Sequence, residues 1–258
     1  RMLHWPDSMF TYLAADALLF SQDAFGMHLA SSERFADEIP EEMLVYEGAK
    51  YYANILLPLS SLVTKLLERV GSLGITINII ATDHGPIWRK DLGRILSLYS
   101  KWAAQKRTTK AVVAYDTMWQ STEMMARAIG EGLAAGGAAP KVMALRACHR
   151  SDVATEALDA GALMVGSPTI NNNMFPTVAD LLTYLRGLKP QALIGAAFGS
   201  YGWGGEAVKL VEDVLREMKV NIVAEGLRVK YVPDGEALLE CRSLGLLVAE
   251  KLKERYRS

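Results

Sequence analysis

The chain has 258 residues, 50% of them apolar and 22% charged, with 28 Lys and Arg against 29 Asp and Glu. This balance excludes a disordered, highly charged segment, and it argues against a nucleic-acid partner, whose phosphates call for a basic surplus. No stretch reaches the roughly 18–20 uncharged apolar residues of a membrane span, and Cys148 and Cys241 give neither a disulfide framework nor a paired metal knuckle, so a reducing, cytoplasmic setting is expected.

In chain order, residues 9–13 and 18–20 read as short strands. Residues 41–70 read as helix broken near Pro58, because proline lacks the donor that a helix interior needs. Residues 75–80, Ile-Thr-Ile-Asn-Ile-Ile, are β-branched and strand-like. These pieces are too few to close a sandwich unaided. A polar, basic stretch at 101–110 is the expected linker, dividing the chain into 1–105 and 106–258.

From there the pattern is regular. The apolar run 111–115 stops at Asp116-Thr117, and Met125, Ile129 and Leu133 then recur at the spacing of a buried helix face. Further apolar runs lie at 142–145, 162–165, 192–198 and 223–229. Helical stretches fall between and after them, carried by Val178, Leu181, Leu182, Leu185 and Leu188, by Val208, Val211, Leu215 and Met218, and by residues 237–252. Strands alternating with helices predict an α/β fold with a doubly wound, five-stranded parallel sheet, whose ligands bind at the carboxyl ends of the strands.

Three turns at that edge carry ligand chemistry. The first, Thr117-Met118-Trp119-Gln120-Ser121-Thr122, offers hydroxyls and free N–H groups at a helix start, which suit a phosphate without any lysine. Taken alone, simple helix capping by Ser121 or Thr122 is the better explanation. The second, Ser167-Pro168-Thr169-Ile170-Asn171-Asn172-Asn173, presents amides to a heterocycle edge, or is an ordinary Asn-rich turn. In the third, Gly199-Ser200-Tyr201-Gly202-Trp203-Gly204-Gly205, glycines permit close approach and Tyr201 and Trp203 supply flat apolar surface. Together they fit a mononucleotide, and the lack of G-x-G-x-x-G after the first strand weighs against a dinucleotide.

Histidines are few: His4, His28, His84 and His149. His84 follows a strand-like run, where a metal ligand is well placed, and imidazole with carboxylate suits iron, zinc or manganese. Trp5 and Trp88 flank His4 and His84 and are expected to exclude water.

From residue 110 onward these residues resemble a flavodoxin domain, whose ligand is FMN. The wording of the first and third turns more narrowly resembles flavodiiron proteins. That resemblance extends to the segments around His4, Asp23 and His84, which are similar to the second half of a metallo-β-lactamase-like αββα domain. It implies that His4, Asp23 and His84 are ligands of a two-iron site with Asp23 bridging, and that Asp7 and Asp83 orient the histidines. It also implies that His28 lines the site. The family's remaining ligands lie in a His-x-Glu-x-Asp-His segment, absent here, so they are expected upstream of Arg1.

The resemblance implies an enzyme passing electrons from a rubredoxin-like or flavin-reductase donor through FMN to the diiron site. There dioxygen is reduced to water or nitric oxide to nitrous oxide. A head-to-tail homodimer or tetramer is implied, and with no Cys-x-x-Cys pair in these residues an external electron donor is expected. The alternative is a flavodoxin-like electron-transfer module without metal chemistry; a nonenzymatic module would bind no flavin at all.

Overall fold

The computed structural model describes residues 3–256, which fall into two compact units, Arg1–Lys106 and Arg107–Ser258. In the first unit, β1 (Thr11–Leu13) and β2 (Leu18–Gln22) pair antiparallel, and β3 (Ile79–Thr82) joins β2 in parallel to complete a three-stranded sheet. A bulge between Phe20 and Gln22 shifts the register immediately before Asp23. The strand expected at 75–80 starts later than its β-branched pattern suggests. Residues 75–78 stay outside the ladder, and the Asn78 N–H donates to Ala17 O at 2.8 Å.

Helix α1 (Glu41–Tyr51) starts after Pro40 and passes through a π turn, Tyr52–Leu56, and a 3-10 turn, Leu57–Leu59, into α2 (Ser60–Ser72). Pro58 falls in that irregular joint, as its missing donor predicts. The last helix of the unit is α3 (Leu92–Ala103). Its buried face carries Tyr99, whose ring centroid lies 4.9 Å from that of Phe25, 5.3 Å from that of Tyr52 and 5.6 Å from that of Trp102. This aromatic cluster is the core beneath the Asp23 loop.

In the second unit β4 (Lys110–Tyr115), β5 (Ala139–Ala144), β6 (Ala162–Gly166) and β9 (Ile194–Tyr201) run parallel, in the spatial order β5-β4-β6-β9. Beyond β9 the fifth position is shared by β10 (Asn221–Ile222) and β11 (Leu227–Lys230), both parallel to it. Ile222 pairs with Gly195 and Leu227 with Phe198, so five steps on the edge strand match three on β9, and two extra residues loop out. One continuous edge strand was expected from 223–229; the extra residues divide it. Helices α4 (Ser121–Ala135), α5 (Arg150–Ala157), α6 (Pro176–Leu188), α7 (Glu206–Glu217) and α8 (Gly235–Tyr256) connect and flank the strands.

β6 is buried at every position, because helices cover both faces of the sheet. Helix α4 approaches α8 very closely. A Cβ on Gly132 would lie 2.0 Å from Arg242 O, and one on Gly245 would lie 2.2 Å from Ile129 O, so only hydrogen fits at that crossing. The stretch 101–110 is no simple linker. Trp102 is buried on α3, and the buried Arg107 donates to Ala157 O and Leu158 O at 2.7 and 2.9 Å, satisfying carbonyls at the end of α5. Burial lowers the Arg107 guanidinium to about 10, still charged at neutral pH.

Candidate functional site

The sheet order reverses between β4 and β6, which opens a crevice at their carboxyl ends. The turn after β4 is pinned from below. Asp116, buried, accepts from the Thr117 N–H through Oδ1 at 2.7 Å and from the Thr177 hydroxyl through Oδ2 at 2.6 Å. Arg146 donates to Thr117 O and lies 3.5 Å from Asp116 Oδ1. Thr117 itself is fixed with its Oγ1 buried and without a partner. Such an orphan group costs about 1–3 kcal/mol unless a ligand satisfies it.

The capping explanation for this turn is set aside. The residue before α4 is Gln120, left-handed at φ 68°, with no side-chain cap, while Ser121 and Thr122 are already helical. The first N–H groups of α4 therefore lack a side-chain acceptor and present a partial positive charge. Thr122 is turned inward and shares a 2.9 Å hydrogen bond with Ser200, tying the first turn to the third. Met118 and Trp119 are exposed at its rim.

The second turn is a β-hairpin: β7 (Thr169–Ile170) and β8 (Asn173–Met174) pair antiparallel. Asn171 and Asn172 occupy its tip at φ 48° and 56°, the pair of left-handed residues that a type I′ turn requires. The asparagines thus have a conformational reason to be present, and their exposed amides remain available to a ligand. Ser167 braces the hairpin by accepting from the Phe175 N–H at 2.8 Å, and Thr169 Oγ1 accepts from the Ala207 N–H at 3.3 Å. Pro168 is buried beneath it and Ile170 is half-buried.

In the third turn Gly199 is required by its neighbour, since a Cβ there would lie 2.0 Å from Ser167 O. Gly204 leaves room for the Glu206 carboxylate, which folds back over it with Oε2 buried and unpartnered. Tyr201 packs beside Gly205, and Trp203 is 97% exposed, an indole with nothing on either face. All three predicted turns meet at one sheet edge.

The metal candidates also converge. His84 Nε2 lies 3.4 Å from Asp23 Oδ1, and His4 Nε2 lies 3.8 Å from Asp23 Oδ2. Each carboxylate oxygen therefore faces a different imidazole. The two loops are zipped together: the Met27 N–H donates to His84 O at 3.2 Å, and the Thr82 hydroxyl donates to the same oxygen at 2.9 Å. Gly26 allows this approach, because a Cβ would stand 2.6 Å from His84 O. Among the described residues no group of three or more His, Cys, Asp or Glu could hold one metal ion. A carboxylate with an imidazole beside each of its oxygens is a donor set of the kind that iron, zinc or manganese accepts.

Two expectations about the surroundings change. Trp88 is buried and its indole N–H donates to Phe25 O at 2.9 Å, so it braces the Asp23 loop, whereas Trp5 is 61% exposed and shields little. Sequence reading missed Tyr51, at the end of α1. Its phenol is held protonated well above its ordinary range by burial and by the nearby carboxylates, with a hydrogen bond to Asp23 and the charge of Asp83 contributing. His28 is exposed and stacks edge-on against Tyr51 at 4.9 Å and against His84 at 5.4 Å, lining the cluster as expected. Asp7 lines a separate groove of about 900 Å³ against α2, formed with Phe10, Leu66 and Arg69.

Comparison with known proteins agrees with this geometry. The flavodoxin family model matches residues 113–245, more than half of the chain. A nitric oxide reductase of Moorella thermoacetica is 50% identical over 254 residues, covering 98% of this chain and 64% of the relative. The rubredoxin oxygen:oxidoreductase structure from Desulfovibrio gigas superimposes with a TM-score of 0.97 at 41% identity, over 100% of this chain and 65% of that one. The flavodiiron protein of Giardia intestinalis gives a TM-score of 0.95 at 33% identity, over 100% and 64%. The chain spans somewhat less than two thirds of the length of these relatives. It belongs to the flavodoxin family and, over nearly all of its length, is similar in sequence and fold to these relatives, a flavodiiron protein among them.

Proposed function

We propose that this chain is the FMN-bearing part, with a portion of the metal domain, of a flavodiiron oxidoreductase. It takes electrons from a rubredoxin-like or flavin-reductase donor and reduces dioxygen to water or nitric oxide to nitrous oxide. The observation that carries the reading is Asp23, whose two oxygens face His84 and His4 separately. A carboxylate of a metal-free flavodoxin module has no need of that arrangement, so the electron-carrier alternative is not favoured.

When bound, FMN supplies one- and two-electron chemistry and the iron pair supplies the redox centre where the gas is reduced. The chain's residues do the rest. Thr117, Ser121 and the first N–H groups of α4 would hold the phosphate. Asn171, Asn172 and the backbone of Thr169 and Ile170 would meet the ring edge, with Pro168 closing the floor of that turn. Gly199, Ser200, Gly202 and Gly204 would let the backbone approach the ring, and Tyr201 and Trp203 would give it apolar contact. Met118, Trp119, Gln120 and Thr122 complete the first turn. Tyr51, beside Asp23, would donate a hydrogen bond to its carboxylate and help orient it.

The assembly belongs to the same proposal: a head-to-tail homodimer or tetramer would place the flavin of one chain beside the metal of its partner. So does a cytoplasmic location; among the described residues no helix is long and apolar enough to cross a membrane. The test is gas consumption by the protein expressed from its full reading frame with a rubredoxin donor. Asp23→Asn should abolish consumption of both gases while FMN remains bound and reducible. Undiminished consumption in that variant would refute the reading.

A further inference from the structure

We propose that Tyr231, at the end of β11, is a flavin-positioning residue and that the turn it opens is a fourth element of the FMN site; this rests on the FMN reading above. The strand β11 follows β9 in register up to Lys230 opposite Tyr201, and the Tyr231 N–H then donates to Tyr201 O at 2.8 Å. Tyr231 thus reaches the third turn where that turn leaves the sheet. A Cβ on Gly202 would lie 3.8 Å from Tyr231 Cε1, so the phenol ring flanks the backbone just before Trp203.

The turn from 201 to 205 contains Gly202, Gly204 and Gly205, and a glycine-rich segment samples many conformations unless something restrains it. The Tyr231 N–H and ring offer that restraint from a neighbouring strand, and a steadied turn would present Trp203 to the isoalloxazine in fewer orientations. Two features of Tyr231 bear on its role. It is 65% exposed, so it contributes little to the core, and it adopts φ +61°, a conformation natural to glycine and strained for a bulky side chain. The Lys230 ammonium lies 5.2 Å from the ring centroid and steadies it from outside. Strained, exposed aromatics persist where function holds them.

The strain makes the proposal separable from a structural role. Tyr231→Gly suits the backbone and removes the ring, while Tyr231→Phe keeps the ring. FMN and riboflavin dissociation constants should be measured by flavin fluorescence on the 258-residue chain, beside the melting temperature of the flavin-free form. Tyr231→Gly should melt at or above the parent temperature yet bind both flavins roughly tenfold more weakly, and Tyr231→Phe should bind as the parent does. Parental affinity in Tyr231→Gly, or a fall in its melting temperature that tracks the loss of affinity, would overturn the positioning role. Failure of the parent chain to bind FMN at all would instead remove the reading on which it rests.

Discussion

The two units build their candidate sites by different means. In the second, the ligand-bearing turns leave adjacent strands β4, β6 and β9 of one sheet, and β6 and nearly all of β9 are buried. Topology alone brings those turns together, so the site is self-contained. In the first, β1 pairs antiparallel with β2, only β3 runs parallel to it, and the His84 side chain is 50% exposed. There the site depends on side chains from three separate segments meeting at Asp23. The order of parallel strands specifies where a ligand lies before any side chain is chosen, while the metal candidates depend on individual residues converging.

This contrast can be broken most forcefully at the packing of the second unit. Gly132→Ala would drive a methyl into Arg242 O, and about 2–3 kcal/mol of that unit's stability should be lost in urea unfolding. By contrast Gly71→Ala, on α2 with nothing within 4 Å of the new methyl, should stabilise the first unit by about 0.5–1 kcal/mol. Equal effects at the two positions would erase the distinction.

Next in size is the phosphate turn. Thr117→Val combined with Ser121→Ala removes two hydrogen bonds to the phosphate, each worth about 1 kcal/mol net, so FMN should bind roughly 10- to 100-fold more weakly while riboflavin is little affected. Equal losses for both ligands would show that this turn does not hold phosphate. Trp203→Ala should weaken both flavins alike, by roughly fivefold to tenfold, with the fold intact; an unchanged FMN dissociation constant would deny the indole a stacking role.

The smallest effect belongs to the surface of the first unit. Hydrogen bonds from Lys90 and Arg89 hold the Asp37 carboxyl down at about 2. A carboxyl lowered on folding from about 3.9 contributes stability above that unfolded value and loses it as pH falls through the folded one. Asp37→Asn should therefore lower the melting temperature slightly near pH 6, and the difference should shrink between about pH 4 and 2. A difference that grows on acidification would contradict the assignment.

Much of this architecture was legible in the sequence because its signals are local. The helix faces of Met125, Ile129 and Leu133 and of Val208, Val211 and Leu215 are all buried as their spacing predicts. The turns could be found because hydroxyls, asparagines and glycines stand together in short segments. What escaped depends on distant partners. Tyr51 reaches Asp23 from a helix 28 positions later, with no motif linking them (51 − 23). Arg107 looked like part of a basic linker, yet its value lies in carbonyls some 50 residues away. The split between β10 and β11 could not be read because Val223 and Leu227 belong to one apolar run, and only the pairing with β9 reveals the two extra residues.

On the proposed reading, one chain holds FMN in its second unit and uses Asp23 in its first to bridge two irons. The most direct test is to measure flavin and iron per chain, with Mössbauer spectra, in the protein read from its full coding frame and in its Asp23→Asn variant. One FMN and two coupled irons are expected in the parent, and loss of the coupled pair with FMN retained in the variant. A parent carrying stoichiometric FMN but no iron, or a variant whose coupled iron pair is intact, would contradict it.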